Sequence, residues 1–305
     1  MNELQNEFSW SKTRDEIFRK CPRQYYFQYY GSWGGWKIDC DARTREIYVL
    51  KQLQSRSMWA GSKVHDCIRR ALENQRRGIK PMLDAEAIDA TLASMRNDFA
   101  NSRRGDYWKN PKTCGLFEHE YKLNLPASAW KETADHAVKC LRNFYCSDVY
   151  RQIQSLSLDQ WLEMEDFSSF QLEGVKVHVV LDFSYRDANG DIVIYDWKTG
   201  RSDAERNDVQ LACYSYYATQ KWAVEQERVR TIEFNLASGR QLYYALTGKG
   251  LESIVHHIRG SIRDMKMLLD DPETNRASEE RFTFTTLAAT CRYCNYKKVC
   301  PHVAA

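Results

Sequence analysis

One stretch of the chain, Val179 to Gly200, consists of two apolar runs joined by a polar turn and carries charged residues within the apolar runs; it reads VVLDFSYRDANGDIVIYDWKTG. Asp182 stands near its beginning, and Asp196 and Lys198 stand two residues apart near its end. An unpaired buried charge is costly, so these groups need solvent or a partner. Two carboxylates that converge repel each other unless a cation lies between them. These residue types therefore favour a divalent cation, with the lysine as a point charge for a phosphate.

The local pattern predicts how these groups meet. Alternate side chains of an extended strand share a face, so Asp196 and Lys198 point one way and Trp197 the other. The turn at 187–191, DANGD, folds the first strand back on the second, which predicts that Asp182 lies beside Asp196. Oxygen ligands favour magnesium or manganese, which bind phosphates and lower the pKa of a bound water. A D-x-K triplet alone is equally typical of an exposed hairpin with an ordinary ion pair.

The wider pattern LDF…IVIYDWKTG resembles the RecB-like branch of the PD-(D/E)xK nuclease superfamily, whose usual form is D…DxKTG. Leu181 stands where the superfamily's name has proline, and position 196 has Asp where the more general form has Glu. The resemblance implies that Asp182, Asp196 and Lys198 are catalytic and that the two carboxylates bind magnesium or manganese.

Two flanking motifs fit the same branch. DVQLACYSYY resembles its Q…Y helix, in which Gln210 and Tyr214, four residues apart, share a helical face. The resemblance implies that both contact the catalytic site or the DNA backbone. GSKVHDCI resembles the GxxxH helix, with Gly61 and His65, which implies that His65 is a further metal ligand. Taken singly, Gln210 and Tyr214 are equally well a polar and a core residue, and a lone histidine is usually structural.

A second pair of acidic residues occurs in LFEHEY at 116–121. Alternation places Glu118 and Glu120 on one face of a strand there. We interpret them as surface or structural residues and leave them outside the catalytic set.

The last cysteines have the spacing C-x2-C-x5-C, and three thiols so close together indicate a metal. The fourth ligand is either His302, which favours zinc, or a distant cysteine. The segment CPRQYYFQYY resembles the first-cysteine segment of AddB-type repair nucleases and CRISPR adaptation nucleases. That resemblance implies a structural [4Fe-4S] cluster bound by Cys21, Cys291, Cys294 and Cys300. The spacing does not separate iron from zinc. We interpret the other six as small buried hydrophobes: Cys40, Cys67, Cys114, Cys140, Cys146 and Cys213.

The composition is uninformative about nucleic acid, because 305 residues carry a formal charge of only +3. Basic residues cluster at 68–80 and 101–112, a pattern that a solvated helix face also gives. No apolar run reaches the ~20 residues of a membrane span, and the first residues lack a signal-peptide pattern, so we expect a cytoplasmic protein without a membrane partner. The sequence has no G-x4-G-K-[ST] phosphate loop, so any unwinding of DNA would come from a partner, such as a helicase or a CRISPR or recombination protein.

Periodicity and turn residues predict an α/β fold. The resemblance makes this a PD-(D/E)xK restriction-endonuclease-like core, a central mixed sheet flanked by helices, with an N-terminal helical region and a C-terminal cysteine cluster. We divide one compact unit into 1–45 with the first cluster cysteine, 46–160 with the GxxxH helix, 161–270 as nuclease core, and 271–305. The predicted helices are one from Ser11 bent or restarted at Pro22, two separated by a turn at Gly61, and further ones at 84–103, 128–154, 204–226 and 248–270.

The ordered set of motifs predicts a metal-dependent deoxyribonuclease, exonuclease or endonuclease, acting on single-stranded DNA or DNA with free ends. Aromatic residues would stack on unpaired bases. DNA repair or antiviral defence is the expected setting. Two other interpretations stay open: a non-catalytic DNA-binding subunit of a recombination complex, and a nuclease that acts on RNA.

Overall fold

The computed structural model describes residues 4–80, 82–200, 208–246 and 248–302. The chain begins with a short strand, β1 (Ser9–Trp10), and two helices, α1 (Lys12–Lys20) and α2 (Pro22–Tyr26), followed by a π-helical turn at Phe27–Gly31. The Ser11 hydroxyl caps α1 by accepting a hydrogen bond of 3.2 Å from the Arg14 amide. Pro22 restarts the helix at the first position of α2, as predicted.

A helical region comes next. Its elements are α3 (Ala42–Lys51), α4 (Arg56–Arg76), α5 (Asp84–Arg104), α6 (Phe117–Glu120), α7 (Ala127–Tyr145) and α8 (Asp148–Ser155). The predicted turn at Gly61 is wrong: α4 runs through this glycine, and the break lies at 52–55, where Ser55 caps α4. The predicted helix at 128–154 is divided because Ser147 caps a new helix, α8.

The strands form two mixed sheets. One has the order β1-β3-β2, with β2 (Phe167–Leu172) and β3 (Val175–Val180) antiparallel and β1 parallel to β3. The other has the order β4-β5-β6-β7, from β4 (Phe183–Arg186), β5 (Ile192–Lys198), β6 (Val229–Asn235) and β7 (Arg240–Tyr244). In it β5 and β6 are parallel, and the outer pairs are antiparallel.

The first strand of the predicted hairpin lies in the run VKVHVVLDFSYR, and this run breaks at Leu181–Asp182. Its first half, β3, pairs with β2, and its second half, β4, pairs with β5 in the other sheet. Alternation of side chains continues through the break, which is why the pattern concealed it. The break places Asp182 at the junction of the two sheets.

Helix α9 (Asp208–Trp222) covers one face of the second sheet, and α10 (Gly248–Lys266) packs against α9 and against Trp10 of β1. The predicted helix at 204–226 begins in 201–207, which lie outside the described residues. Buried Asp15 of α1 ties the N-terminal segment to α10, because it accepts a hydrogen bond from the Ser261 hydroxyl at 2.5 Å and contacts His257 at 2.8 Å. The chain closes with α11 (Ala288–Arg292).

Strand β5 is buried on both faces. Val193, Tyr195 and Trp197 pack with α4, α5 and α7, whereas Ile192 and Ile194 pack with α9 and α10. Alternation therefore directs Asp196 and Lys198 towards α9.

Within the described ranges, no helix combines the length and the apolar composition needed to cross a membrane.

Candidate functional site

Asp196 and Lys198 form the centre of the site, on the face of β5 that α9 covers. Asp196 is only 2% exposed, and its Oδ2 lies 2.7 Å from the Lys198 Nζ. An isolated carboxylate at this depth would be strongly destabilising, so the lysine is its necessary partner. The pair explains how an apolar strand tolerates both charges.

Helix α9 supplies the next layer through Gln210 and Tyr214. The Gln210 amide Nε2 donates to Asp196 Oδ1 at 3.0 Å, while its Oε1 accepts from the Lys198 Nζ at 3.0 Å. The Tyr214 hydroxyl lies 2.6 Å from the same amide nitrogen and 3.5 Å from Asp196 Oδ1. One amide therefore fixes the orientation of both members of the ion pair.

Asp182 reaches the same place from the junction between the sheets. The β4–β5 register pairs Phe183 with Tyr195, and one further step sets Asp182 opposite Asp196. The Asp182 Oδ2 accepts a hydrogen bond of 2.5 Å from the Trp197 amide. This backbone contact holds one carboxylate oxygen and leaves Oδ1 for another partner.

That partner region contains His65 and Glu165. The His65 Nδ1 lies 3.4 Å from Asp182 Oδ1 and 3.6 Å from Glu165 Oε1. One ligand atom from each of the three residues lies within 4.8 Å of the others. An imidazole and two carboxylates that converge in this way suit a divalent cation, and manganese and magnesium are the usual ions for oxygen-rich sets.

Gly61 explains how α4 comes close enough to present His65. A Cβ added at Gly61 would lie 2.9 Å from the Thr199 Oγ1, just beyond the end of β5. Any larger residue would hold the helix away from the sheet. Gly61 therefore allows α4 to pack closely against the end of β5. It does not form the turn that the sequence predicted.

Sequence reasoning missed Glu165, which lies where the chain crosses between the sheets. The segment before it lies alongside β4, where the Ser184 amide donates to the Glu163 carbonyl at 2.8 Å. The Glu165 amide then donates to the Leu181 carbonyl at 2.7 Å. Glu165 has a φ of 54°, a left-handed conformation that costs a non-glycine residue about 1–2 kcal/mol. The sequence does not distinguish Glu165 from Glu163, whose carboxylate instead accepts from the Tyr217 hydroxyl at 2.5 Å.

The electrostatics reflect crowding of negative charge. Burial raises the pKa of Asp196 to about 6, with the nearby Asp182 charge adding to the rise and Lys198 opposing it. Burial disfavours protonation of His65, but the Asp182 and Glu165 charges outweigh it and raise the pKa to about 10. Burial also lowers the pKa of Lys198, yet Asp196 outweighs it and the net shift is upward. The site therefore attracts positive charge, whether a proton or a cation.

Six of these residues line one open cleft of about 750 Å³: His65, Asp182, Asp196, Lys198, Gln210 and Tyr214. The catalytic set predicted from the sequence, Asp182, Asp196, Lys198, Gln210 and Tyr214, is brought together there with His65. The other side of the cleft is formed by the start of α1 and the outer face of β2 and β3.

The four cysteines of the predicted cluster line a separate small cavity of about 30 Å³, together with His302. Burial raises the pKa of the Cys294 thiol to about 11, and the charges of the neighbouring cysteine sulfurs add to the shift. The thiols are thus close enough to interact. The His302 ring stacks on Phe284, which lines the same cavity, with 4.9 Å between ring centroids.

The remaining cysteines are not all buried. Cys67, Cys140 and Cys213 are buried as expected, whereas Cys40 and Cys114 are half-buried. The interpretation is wrong for Cys146, which is exposed at the end of α7, where the helix turns towards solvent.

Glu118 and Glu120 lie in the short helix α6 and not in a strand. Both are buried, and their contacts are structural. Glu118 accepts hydrogen bonds of 3.0 and 3.1 Å from the Arg56 amide at the start of α4. Glu120 accepts from Tyr107, Trp108 and Lys298.

Comparison with known proteins places these features in a family. The family model described as the PD-(D/E)XK nuclease superfamily matches residues 9–301. A solved structure entitled "Crystal structure of SSO0001" is 19% identical, aligns with 61% of this chain and 78% of its own, and has a TM-score of 0.30, a likeness too low to support a conclusion. No curated protein matches this chain. The family match covers nearly the whole chain and confirms the predicted PD-(D/E)xK α/β core: this chain belongs to the PD-(D/E)XK nuclease superfamily.

Proposed function

We propose that the protein is a metal-dependent deoxyribonuclease of the RecB-like, iron–sulfur type, which hydrolyses phosphodiester bonds in DNA that is single-stranded or has free ends. The observation that carries this proposal is the convergence of Asp182, Asp196, Lys198 and His65 in one open cleft. Membership of a nuclease superfamily supports the same reading. The complete set of ionisable groups argues against a vestigial site that only binds DNA.

The donor set near Asp182 fits a divalent cation. His65, Glu165 and Asp182 would hold magnesium or manganese, with Asp196 beside Asp182 as a further carboxylate. A bound cation supplies Lewis acidity for the attack of water on the phosphodiester and offsets charge on the phosphate. The partial exposure of His65 and Glu165 leaves the site open to solvent and substrate.

Lys198 provides the positive charge that the protein itself brings to the reaction. Its ammonium group donates to the phosphate or orients the attacking water, and Asp196 and Gln210 hold it in place. Gln210 and Tyr214 are positioning residues in this scheme, because they contact Asp196 and Lys198 from α9.

Cys21, Cys291, Cys294 and Cys300 hold a [4Fe-4S] cluster that joins the two ends of the chain. Their shared cavity supports this assignment. A broad visible absorbance that bleaches with dithionite, with about four iron atoms per chain, is the expected result. Colourless protein with one zinc ion would contradict it.

The substrate is tested by cleavage of labelled single-stranded DNA, duplex DNA with free ends and RNA, each with Mg²⁺ or Mn²⁺. We expect cleavage of DNA and not of RNA. Lys198→Ala is the catalytically impaired comparison. Its cleavage rate should be about a hundred- to a thousandfold lower, as for removal of one electrostatic group. Cleavage confined to RNA, or undiminished by Lys198→Ala, would overturn the proposal. Repair or antiviral defence is the setting we infer, with unwinding supplied by a partner.

A further inference from the structure

The cleft extends beyond the catalytic carboxylates to an exposed aromatic residue, Phe167, at the start of the edge strand β2. Its side chain is 75% exposed. Phe167 lies opposite Val180, and Ser169 lies opposite His178, so Phe167 and His178 are diagonal neighbours on the same face of the sheet. Their rings are stacked, with 4.5 Å between centroids and 27° between planes.

His178 stacks against one face of the Phe167 ring. Burial lowers the pKa of its imidazole, and the positive charges of Arg14 and Lys176 add to the effect, so the ring is neutral at neutral pH. The stack covers one face of Phe167, and the high exposure of the residue leaves its remaining surface to solvent. An exposed aromatic ring of fixed orientation is the surface on which an unpaired base stacks.

Arg14 places a positive charge at the same side of the cleft. Its guanidinium carbon lies 4.1 Å from the centroid of the Tyr29 ring, and both residues line the cleft. Among the described residues, no carboxylate forms an ion pair with Arg14. The contact with Tyr29 orients the guanidinium and leaves its charge available to a phosphate.

We propose that Phe167, backed by His178, is a stacking site for one base of a single-stranded nucleic acid, and that Arg14 binds a neighbouring phosphate of the same strand. This inference rests on the proposed function, since the strand it describes is the substrate of the catalytic site. Inside a duplex both faces of a base are covered by its neighbours, so an internal base pair cannot use the site. Phe167 therefore selects for unpaired nucleotides.

The test is binding of fluorescein-labelled single-stranded DNA and single-stranded RNA in a Lys198→Ala background, which limits cleavage. We expect Phe167→Ala to weaken binding of single strands about tenfold, since stacking contributes about 1–3 kcal/mol per base. Phe167→Trp should retain affinity, and covalently closed duplex DNA, which exposes no base face, should bind Phe167→Ala and its parent equally. The matched control is Tyr243→Ala, which removes an aromatic residue that is 72% exposed on β7, outside the cleft lining.

Scanning a single abasic nucleotide along the strand locates the stacked base. One position should reproduce the loss seen with Phe167→Ala, and the two changes together should cost no more than either alone. Equal affinity of Phe167→Ala and its parent for single strands would overturn the inference. Binding that depends on Phe167, by a protein with intact Lys198 that cleaves no nucleic acid, would instead overturn the proposed function and leave the stacking site standing. Comparison of the DNA and RNA arms shows which strand the site takes.

Discussion

Glu163 and Glu165 stand two residues apart, yet their carboxylates lie in different surroundings. Glu163 is hydrogen-bonded to Tyr217, whereas Glu165 faces His65 across 3.6 Å. The turn of the chain at Glu165, with its φ of 54°, produces the difference. A left-handed residue is often retained for function, and the backbone cost is consistent with a metal-binding role.

Glu165→Gln should therefore weaken Mn²⁺ binding, because it removes a charged ligand and keeps the size of the side chain. Removal of an outer-shell partner typically lowers metal affinity about 10- to 100-fold. Because Glu165 would be a direct ligand, we expect at least that loss of Mn²⁺ affinity. Titration calorimetry or the Mn²⁺ resonance spectrum measures it without reference to activity. Glu173→Gln is the matched control, since Glu173, in the turn between β2 and β3, pairs with Arg259 of α10 at 2.8 Å, outside the cleft lining. Unchanged affinity in Glu165→Gln would remove Glu165 from the ligand set.

The titration of Asp196 predicts how the stability of the metal-free protein depends on pH. Its pKa of about 6 in the folded state exceeds the value of about 3.9 in an unfolded chain, so the native state binds the extra proton. The free energy of unfolding should fall as pH rises from about 4 to about 6, and it should stay lower by the same amount above that range. Asp196→Asn removes the deficit, which amounts to about 3 kcal/mol by linkage.

Chemical denaturation in EDTA at pH 4.5 and pH 7.5 checks this. The variant should gain on the wild type much more at the higher pH than at the lower, while Asp191→Asn, in a surface pair with Arg228, should change stability little at either pH. A variant less stable than the wild type at pH 7.5 would show that the Lys198 contact outweighs the cost of burial.

At the scale of elements, the contact between α4 and the end of β5 determines where His65 lies. Gly61→Ala places a Cβ about 2.9 Å from the Thr199 Oγ1 and should shift the helix outward. We expect weaker Mn²⁺ binding and slower cleavage, although alanine is the better helix former. Thr199→Ala alone should have little effect on either measurement.

The double variant Gly61→Ala, Thr199→Ala should recover most of both losses, because the clashing oxygen is gone. This rescue distinguishes close approach from a general requirement for glycine flexibility. A double variant as impaired as Gly61→Ala alone would refute the packing explanation.

The sequence predicted most elements because their periodicity is strong, as in α10, and because Ser11 and Pro22 mark the start of α1 and the restart at α2. It predicted the approach of Asp182 to Asp196 because the hairpin turn sets the register. It did not predict the break at Asp182, since alternation runs unbroken from β3 into β4. Which strand belongs to which sheet is decided by long-range pairing, and that pairing carries Glu165 into the site.

At the scale of the whole molecule, the two ends of the chain are joined by direct contacts. Arg23 is 8% exposed; its Nε donates to the Phe282 carbonyl at 2.8 Å, and its guanidinium lies 2.6 Å from Glu279. Its backbone amide donates to the Thr283 carbonyl at 3.0 Å. These contacts hold Cys21, two residues earlier, beside the C-terminal cysteines even before any cluster is considered.

Cys21→Ser should therefore reduce the iron content of the protein while leaving the polypeptide folded. Loss of a cluster that closes a long loop removes a restriction on the unfolded chain, so both ends should become more susceptible to limited proteolysis. Cys146→Ser is the matched control, because Cys146 is exposed and lies outside the cysteine cavity. Iron content and the sites of first cleavage are measured together. Full iron content in Cys21→Ser would place the fourth ligand elsewhere. Loosening of the C-terminal end alone would show that Arg23 and Glu279 suffice to hold the N-terminal segment.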